Sequence, residues 1–235
     1  MQTSLAQFQE TRSTESFALQ NGKLLKVALG GETIQARLGS MVAYQGDVTF
    51  EHAGSGGMSR MLKKAMTGEG QSLMKISGTG EVFLADEAQD IHLIKLEGEK
   101  ITVNGRNLLA FDADIDWNIE RVQGASGAMG GGLYNTSLEG SGWVAVLSDG
   151  PPVLLDVASA PTFADAQAAI TWSGGVRTSL KTDFKMKNLI GRGSGETLQM
   201  AFSGEGWLLV QPSEGRVDRV QGGGGGGGLG SLLGG

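Results

Sequence analysis

The side chains able to do chemistry are few and poorly spaced for it. His52 and His92 are the two histidines, forty residues apart, and neither belongs to a His-x-His or His-x-x-x-His pair. Asp90 and His92 would share one face of a strand and supply at most two metal ligands, fewer than a transition-metal site needs. The expected state is a solvated histidine beside a solvated aspartate. Asp112, Asp114 and Asp116 alternate, so a strand there would set three carboxylates on one face and Ile115 and Trp117 on the other. Three like charges could hold a cation or raise one pKa; the expected arrangement is a solvent-facing surface. With two histidines there is no sign of a Ser-His-Asp triad. Gly191-Arg-Gly-Ser-Gly195 offers glycines and a cation to a phosphate, yet no Gly-Lys-Ser/Thr follows and no strand–loop–helix context surrounds it. There is no cysteine, which excludes disulfides, zinc fingers and thiol catalysis. The residues therefore point to no catalytic group, no bound metal and no cofactor: a protein that is not an enzyme.

Binding features are better defined. In Met58-Ser-Arg-Met-Leu-Lys-Lys-Ala-Met66, Met58, Met61, Leu62, Ala65 and Met66 fall on one helical face, with Arg60, Lys63 and Lys64 on the other. The spacing predicts a short lid helix near 57–67. Its methionines form an adaptable apolar face, suited to a protein partner or an anionic membrane surface. Lys185-Met-Lys-Asn-Leu-Ile-Gly-Arg192 again mixes basic and apolar residues. Met58, Arg60, Met61, Lys63, Lys64, Lys185, Lys187 and Arg192 make up the candidate interaction surface. The chain closes on seven consecutive glycines and Leu229-Gly-Ser-Leu-Leu-Gly-Gly235, a flexible tether over 221–235.

What must position these segments is a repeat. Ile76-Ser-Gly-Thr-Gly80-Glu-Val82-Phe-Leu84 recurs as Leu138-Glu-Gly-Ser-Gly142-Trp-Val144-Ala-Val146. It recurs again as Phe202-Ser-Gly-Glu-Gly206-Trp-Leu208-Leu-Val210, the anchors lying 62 and then 64 residues apart. Gly78, Gly80, Gly140, Gly142, Gly204 and Gly206 are the turn glycines of this pattern. A second glycine pair precedes each copy, and an apolar-x-aromatic element stands earlier still, carrying Tyr44, Phe111 and Trp172. Period-two alternation beside glycines reads as β-hairpins. The expected fold is all-β: three diverged hairpin-based repeats (about 31–90, 98–150 and 156–212) in a pseudo-threefold arrangement, barrel-like or a double-stranded β-helix. Each unit would cover the next one's edge, and the aromatics, with Trp143 and Trp207, would pack inside. Residues 1–16 form a polar N-terminal arm before a domain over 17–220.

Composition narrows the partners. Formal net charge is −6, so the phosphate attraction that dominates nucleic-acid affinity is weak. The N-terminus lacks a basic start and an apolar stretch, unlike a secretory signal. There is no run of eighteen apolar residues for a transmembrane segment. A cytoplasmic location is expected.

The repeats, Gly68-Glu-Gly70, Leu109-Ala-Phe111-Asp with Ile115-Asp-Trp117, and Gly195-Glu with Phe202 through Pro212 resemble the altered-inheritance-of-mitochondria twenty-four family over roughly 17–220. That resemblance implies a fold related to the tryptophan RNA-binding attenuation protein, links to mitochondrial biogenesis, and no established catalytic residue. Gly131 stands where the first unit has Glu69, so that glutamate is not a threefold-repeated group. The leading reading is a non-enzymatic binding or scaffold protein acting through protein–protein contacts or self-association, with peripheral membrane contact as an option. The alternatives are a small-ligand-binding or metal-assisted barrel enzyme and, by fold analogy, an RNA-binding ring.

Overall fold

A computed structural model describes residues 4–52, 73–121, 134–180 and 199–213. A single 3-10 turn, Ser4–Phe8, precedes the strands. The first third of the chain forms β1 (Phe17–Asn21), β2 (Leu24–Arg37), β3 (Met41–His52) and β4 (Leu73–Leu84). The middle forms β5 (Asp90–Asn104), β6 (Leu108–Asp112), β7 (Asp116–Arg121) and β8 (Tyr134–Ser148). The last third forms β9 (Val153–Asp156), β10 (Thr162–Asp165), β11 (Ala169–Ser173), β12 (Val176–Leu180), β13 (Gln199–Gly204) and β14 (Trp207–Val210). All strand pairs are antiparallel. The all-β expectation therefore holds.

Eleven strands make one sheet whose main path runs β3-β4-β2-β6-β8-β5-β11-β14-β9, and β10-β13-β12 make a second sheet. Alternating apolar residues drive this arrangement, since strands bury one face. Ile34, Ile76, Ile101, Leu138 and Phe202 are all at most 2% exposed. Three apolar clusters form the core: one around β2 and β4, one around β5, β6 and β8, and one around β11, β13 and β14.

Two junctions tie the thirds together. Gln35 of β2 stands opposite Phe111 of β6, and Thr102 of β5 stands opposite Trp172 of β11. A backbone hydrogen bond extends each: Ala113 N–H donates to the Thr33 carbonyl (3.0 Å) and Gly174 N–H to the Lys100 carbonyl (2.8 Å).

The glycines at 80, 142 and 206 explain themselves by close approach. A Cβ on Gly80 would collide with the Gln45 carbonyl; on Gly142 it would lie 2.8 Å from Asp112 Oδ2; on Gly206 it would collide with Ser173 Oγ. The backbone comes so near because a neighbouring group serves it. Asp112 Oδ2 accepts the Trp143 N–H (2.6 Å), and Ser173 Oγ accepts the Trp207 N–H (3.0 Å).

Three expectations need correction. The hydrogen-bonded order is an open path, so the strands do not close as a barrel: β3 and β9 end the large sheet. Phe111 and Trp172 are buried, but Tyr44 is 50% exposed, because among the described residues β3 is an edge strand; its ring packs edge-on against Phe50, centroids 5.1 Å apart. Asp112, Asp114 and Asp116 do not share a strand face. The chain turns between β6 and β7, with Ile115 N–H donating to the Asp112 carbonyl, and Asp112 points into the Trp143 contact. The lid helix near 57–67 lies outside the described residues.

Candidate interaction surface

Among the described residues, β3 is an edge strand that exposes apolar side chains. Met41, Val42 and Tyr44 are 38%, 61% and 50% exposed. A strand with one ladder partner leaves its outer row of N–H and C=O groups available to another strand. Val153 and Leu154 of β9, at the other end of the same strand path, are 51% and 62% exposed.

The N-terminal arm lies beside the same end of the first sheet segment. Lys26 on β2 is the post that holds it. Its ammonium pairs with Glu81 (2.7 Å) and Glu10 (3.3 Å) and donates to the Thr11 carbonyl (3.2 Å). The Glu81 hydrogen bond holds the Lys26 pKa above its ordinary value, against the opposing effect of burial. Gln45 donates to Glu10 and lowers that carboxyl's pKa. Gln20 clamps the arm by accepting the Thr11 N–H (2.7 Å) and donating to the Gln9 carbonyl (2.9 Å). Glu15 reaches Lys95 on β5 (3.4 Å), whose ammonium also sits 5.2 Å from the Trp143 ring. An open cleft between arm and sheet is lined by Phe8, Glu10, Arg12, Lys26 and Glu81. Lys26, Glu10 and Glu81 are committed to one another there and fix the arm.

Other polar side chains serve the scaffold. Arg37 pairs with Asp86 (2.8 Å) and donates to the Leu108 and Arg106 carbonyls; burial pushes its pKa down. Asn107 donates to the Leu147 carbonyl (2.8 Å) and to Gln211 (3.2 Å), joining the middle of the chain to its end.

Asp90 and His92 do not act together. Asp90 pairs with Lys23 (3.1 Å). His92 is half-buried, with Nε2 2.8 Å from Ser148 Oγ. The Ser148 hydroxyl proton is directed to the Gly150 carbonyl (2.7 Å), so the imidazole donates. Burial lowers the His92 pKa, with Asp90 opposing. The solvated histidine expected from the sequence is thus a structural one. Burial raises the Asp112 pKa, and the Trp143 hydrogen bond opposes it. Among the described residues, no three His, Cys, Asp or Glu side chains group as metal ligands.

Met58, Arg60, Met61, Lys63, Lys64, Lys185, Lys187 and Arg192 all lie outside the described residues, as do the second glycine pairs and the 221–235 tail. The glycines expected at turns lie otherwise: Gly78 and Gly80 fall inside β4 and Gly140 and Gly142 inside β8, while Gly204 ends β13 and Gly206 precedes β14; Gly78, Gly80, Gly140, Gly142, Gly204 and Gly206 all have positive φ, because the strands bend and approach closely there. Sequence reasoning passed over the exposed strand ends, because alternation shows that a strand has an apolar face but not which strand lies beside it. It also passed over Lys26 and Arg37, whose partners are distant in the chain.

No helix among the described residues is long and apolar enough to cross a membrane. Among curated proteins, none matches the chain. Among solved structures, it is similar to the crystal structure of protein SPYM3_0169 from Streptococcus pyogenes. The identity is 21%, the TM-score 0.68, and the match covers 84% of this chain and 92% of that one. At that identity the likeness shows a shared fold. The family model described as mitochondrial biogenesis AIM24 matches residues 17–213, nearly the whole span of the strands, and the chain belongs to that family.

Proposed function

We propose that this chain is a non-enzymatic scaffold or binding protein that works through protein–protein contacts made by strand edges. One observation carries the reading: the terminal strand β3 exposes Met41, Val42 and Tyr44 beside an open ladder edge. Such an edge favours partners that add a strand, with main-chain bonds giving affinity and alternate side chains giving selectivity.

The scaffold is proposed to be three diverged copies of one unit, about 31–90, 98–150 and 156–212, in a pseudo-threefold arrangement. The recurrence of geometry at repeated positions supports this. Each unit's second turn glycine faces the residue after its aromatic: Gln45, Asp112 and Ser173. The last two accept the N–H that follows the glycine through their side chains. In the first unit Gln45 pairs with Glu81 through the ladder itself. Contact with an anionic membrane through the basic, Met-containing segments at 57–67 and 185–193 stays part of the proposal on sequence grounds.

The test is retention of protein by the immobilised full chain, parent against the double variant Val42→Lys/Tyr44→Lys. The reading expects a protein, a further copy of the chain included, held by the parent and lost by a variant that still melts cooperatively. A parent that retains nothing, or a variant that retains as much as the parent, would overturn it.

A further inference from the structure

The N-terminal arm lies on the sheet as a bound peptide would. Gln20 of β1 brackets Glu10 along the main chain: it accepts the Thr11 N–H (2.7 Å) and donates to the Gln9 carbonyl (2.9 Å). Lys26 of β2 donates to the Thr11 carbonyl (3.2 Å) and pairs with one oxygen of the Glu10 carboxylate (3.3 Å). Gln45 of β3 donates to the other oxygen. Lys95 of β5 receives Glu15 (3.4 Å). The receiving groups are thus two amides and two ammonium groups on four strands of the fold. What they receive is a stretch of main chain and two carboxylates five residues apart. A helix would spend those main-chain groups on its own hydrogen bonds, and residues 9–15 are not helical.

The hold on the arm is polar and lies at the surface. Residues 4–10 and 12–15 are exposed and Thr11 is half-buried, so the arm buries no apolar side chain. At its root the Ser16 carbonyl accepts the Ala28 N–H (2.8 Å). A space of about 190 Å³ remains between the arm and Lys26, Ala28 and Glu81, so the arm crosses this face without filling it. Exposed ion pairs each contribute little, and segments with few buried apolar contacts open at low cost. A departing arm would leave the Lys26 ammonium, whose side chain is 10% exposed, with Glu81 (2.7 Å) and two of its three donors to fill. Filling them as the arm does takes a carboxylate and a main-chain carbonyl together, which a free inorganic anion does not supply.

We propose that this face is a docking site for an acidic, non-helical segment of a partner protein, received by Gln20, Lys26, Gln45 and Lys95, and that the chain's own arm occupies it until such a segment displaces it. The arm displays the chemistry of the ligand: a bracketed glutamate and a second carboxylate five residues on. The site goes beyond the strand-edge reading, since its receiving groups are side chains and no strand is added to the sheet. The tether keeps the arm at a high effective concentration. A partner segment therefore meets a filled site, and its apparent affinity falls with the fraction of arms released.

The test uses the full chain and a dye-labelled peptide of residues 4–16, with binding followed by fluorescence anisotropy. In Glu10→Ala/Glu15→Ala the arm loses both carboxylates while all four receiving side chains stay. That variant is expected to bind the peptide roughly tenfold more tightly than the parent, because two exposed pairs no longer compete for the site. Adding Lys26→Met is expected to abolish the gain, and Gln20→Ala takes its place if the Lys26→Met chain does not melt cooperatively. An unlabelled Ser/Gly peptide that keeps the two glutamates and their spacing is expected to displace the labelled one. Equal binding by parent and variant, or none by either, would overturn the proposal. So would binding indifferent to Lys26→Met and Gln20→Ala, or a labelled peptide that the Ser/Gly peptide cannot displace. A parent that is dimeric by light scattering and becomes monomeric as peptide is added would overturn it too, by making the occupant the arm of a second copy.

Discussion

Asp112 shows how one side chain can take over a backbone's work. Its carboxylate accepts the Trp143 N–H at 2.6 Å where the glycine at 142 lets the two strands close up. The charge is not needed for this, and burial raises the pKa. The stability contributed by this shift is therefore present below the unfolded pKa and is lost as pH rises through the folded one. Asp112→Asn retains an acceptor and removes the charge; Asp112→Ala leaves the N–H unsatisfied. The expected outcome in urea melts at neutral pH is a loss of about 1–2 kcal/mol for the alanine variant, with the asparagine variant near or above the parent. The sequence marked Asp112 as one of three alternating acids but could not show its partner. The Asp-Ala-Asp turn breaks the alternation, and Trp143 lies thirty-one residues away.

Among the elements, the strands were readable because alternation in β2, β4, β5 and β8 is local chemistry; the glycines stood out by their spacing, but their place inside strands, against residues distant in the chain, was not readable. The edge was not, since whether Tyr44 is covered depends on which strand lies beside β3. Phe111 and Trp172 occupy equivalent places and are buried only because β2 and β5 run alongside. The N-terminal arm was read as polar, yet it is stitched down by Lys26 and Gln20, contacts between residues nine to sixteen positions apart. Lys26→Met keeps the apolar stem and removes the ammonium. Limited trypsin digestion is expected to cut after Arg12 faster in Lys26→Met than in the parent, while the melting temperature moves little. Unchanged cleavage at Arg12 would show that Gln20 alone secures the arm.

At the scale of the whole molecule, stability should carry the signature of His92. Its imidazole is held neutral by burial, its pKa depressed below the ordinary value. Between the folded and unfolded pKa the unfolded chain binds more protons, so stability rises with pH there. The contribution is complete above the unfolded value of about 6.5 and is lost as pH falls below it. Thermal melts are expected to show a steeper decline below that point in the parent than in His92→Gln. Parallel profiles for the two would remove His92 as the cause. The all-β class and the glycine spacing were legible across the chain. The open ends of the sheet were not, because three similar units suggest closure while the geometry of two junctions decides whether a third can form.

The direction of the two junctions also orders events on the ribosome. β2 receives the later strand β6, and β5 receives the later strand β11. The hairpins among β2, β3 and β4 are complete once residue 84 has emerged; β6 then docks on β2, whereas β5 and β7 wait for β8, β10 and β12 wait for β13, and β9 waits for β14. Folding during synthesis therefore advances in steps, closing as β4, then β8, then β13 and β14 emerge. The last strands to appear, β13 and β14, seal the third cluster around Trp172 and Phe202. A nascent chain halted before residue 199 would hold Trp172 still without its edge-on partner Phe202.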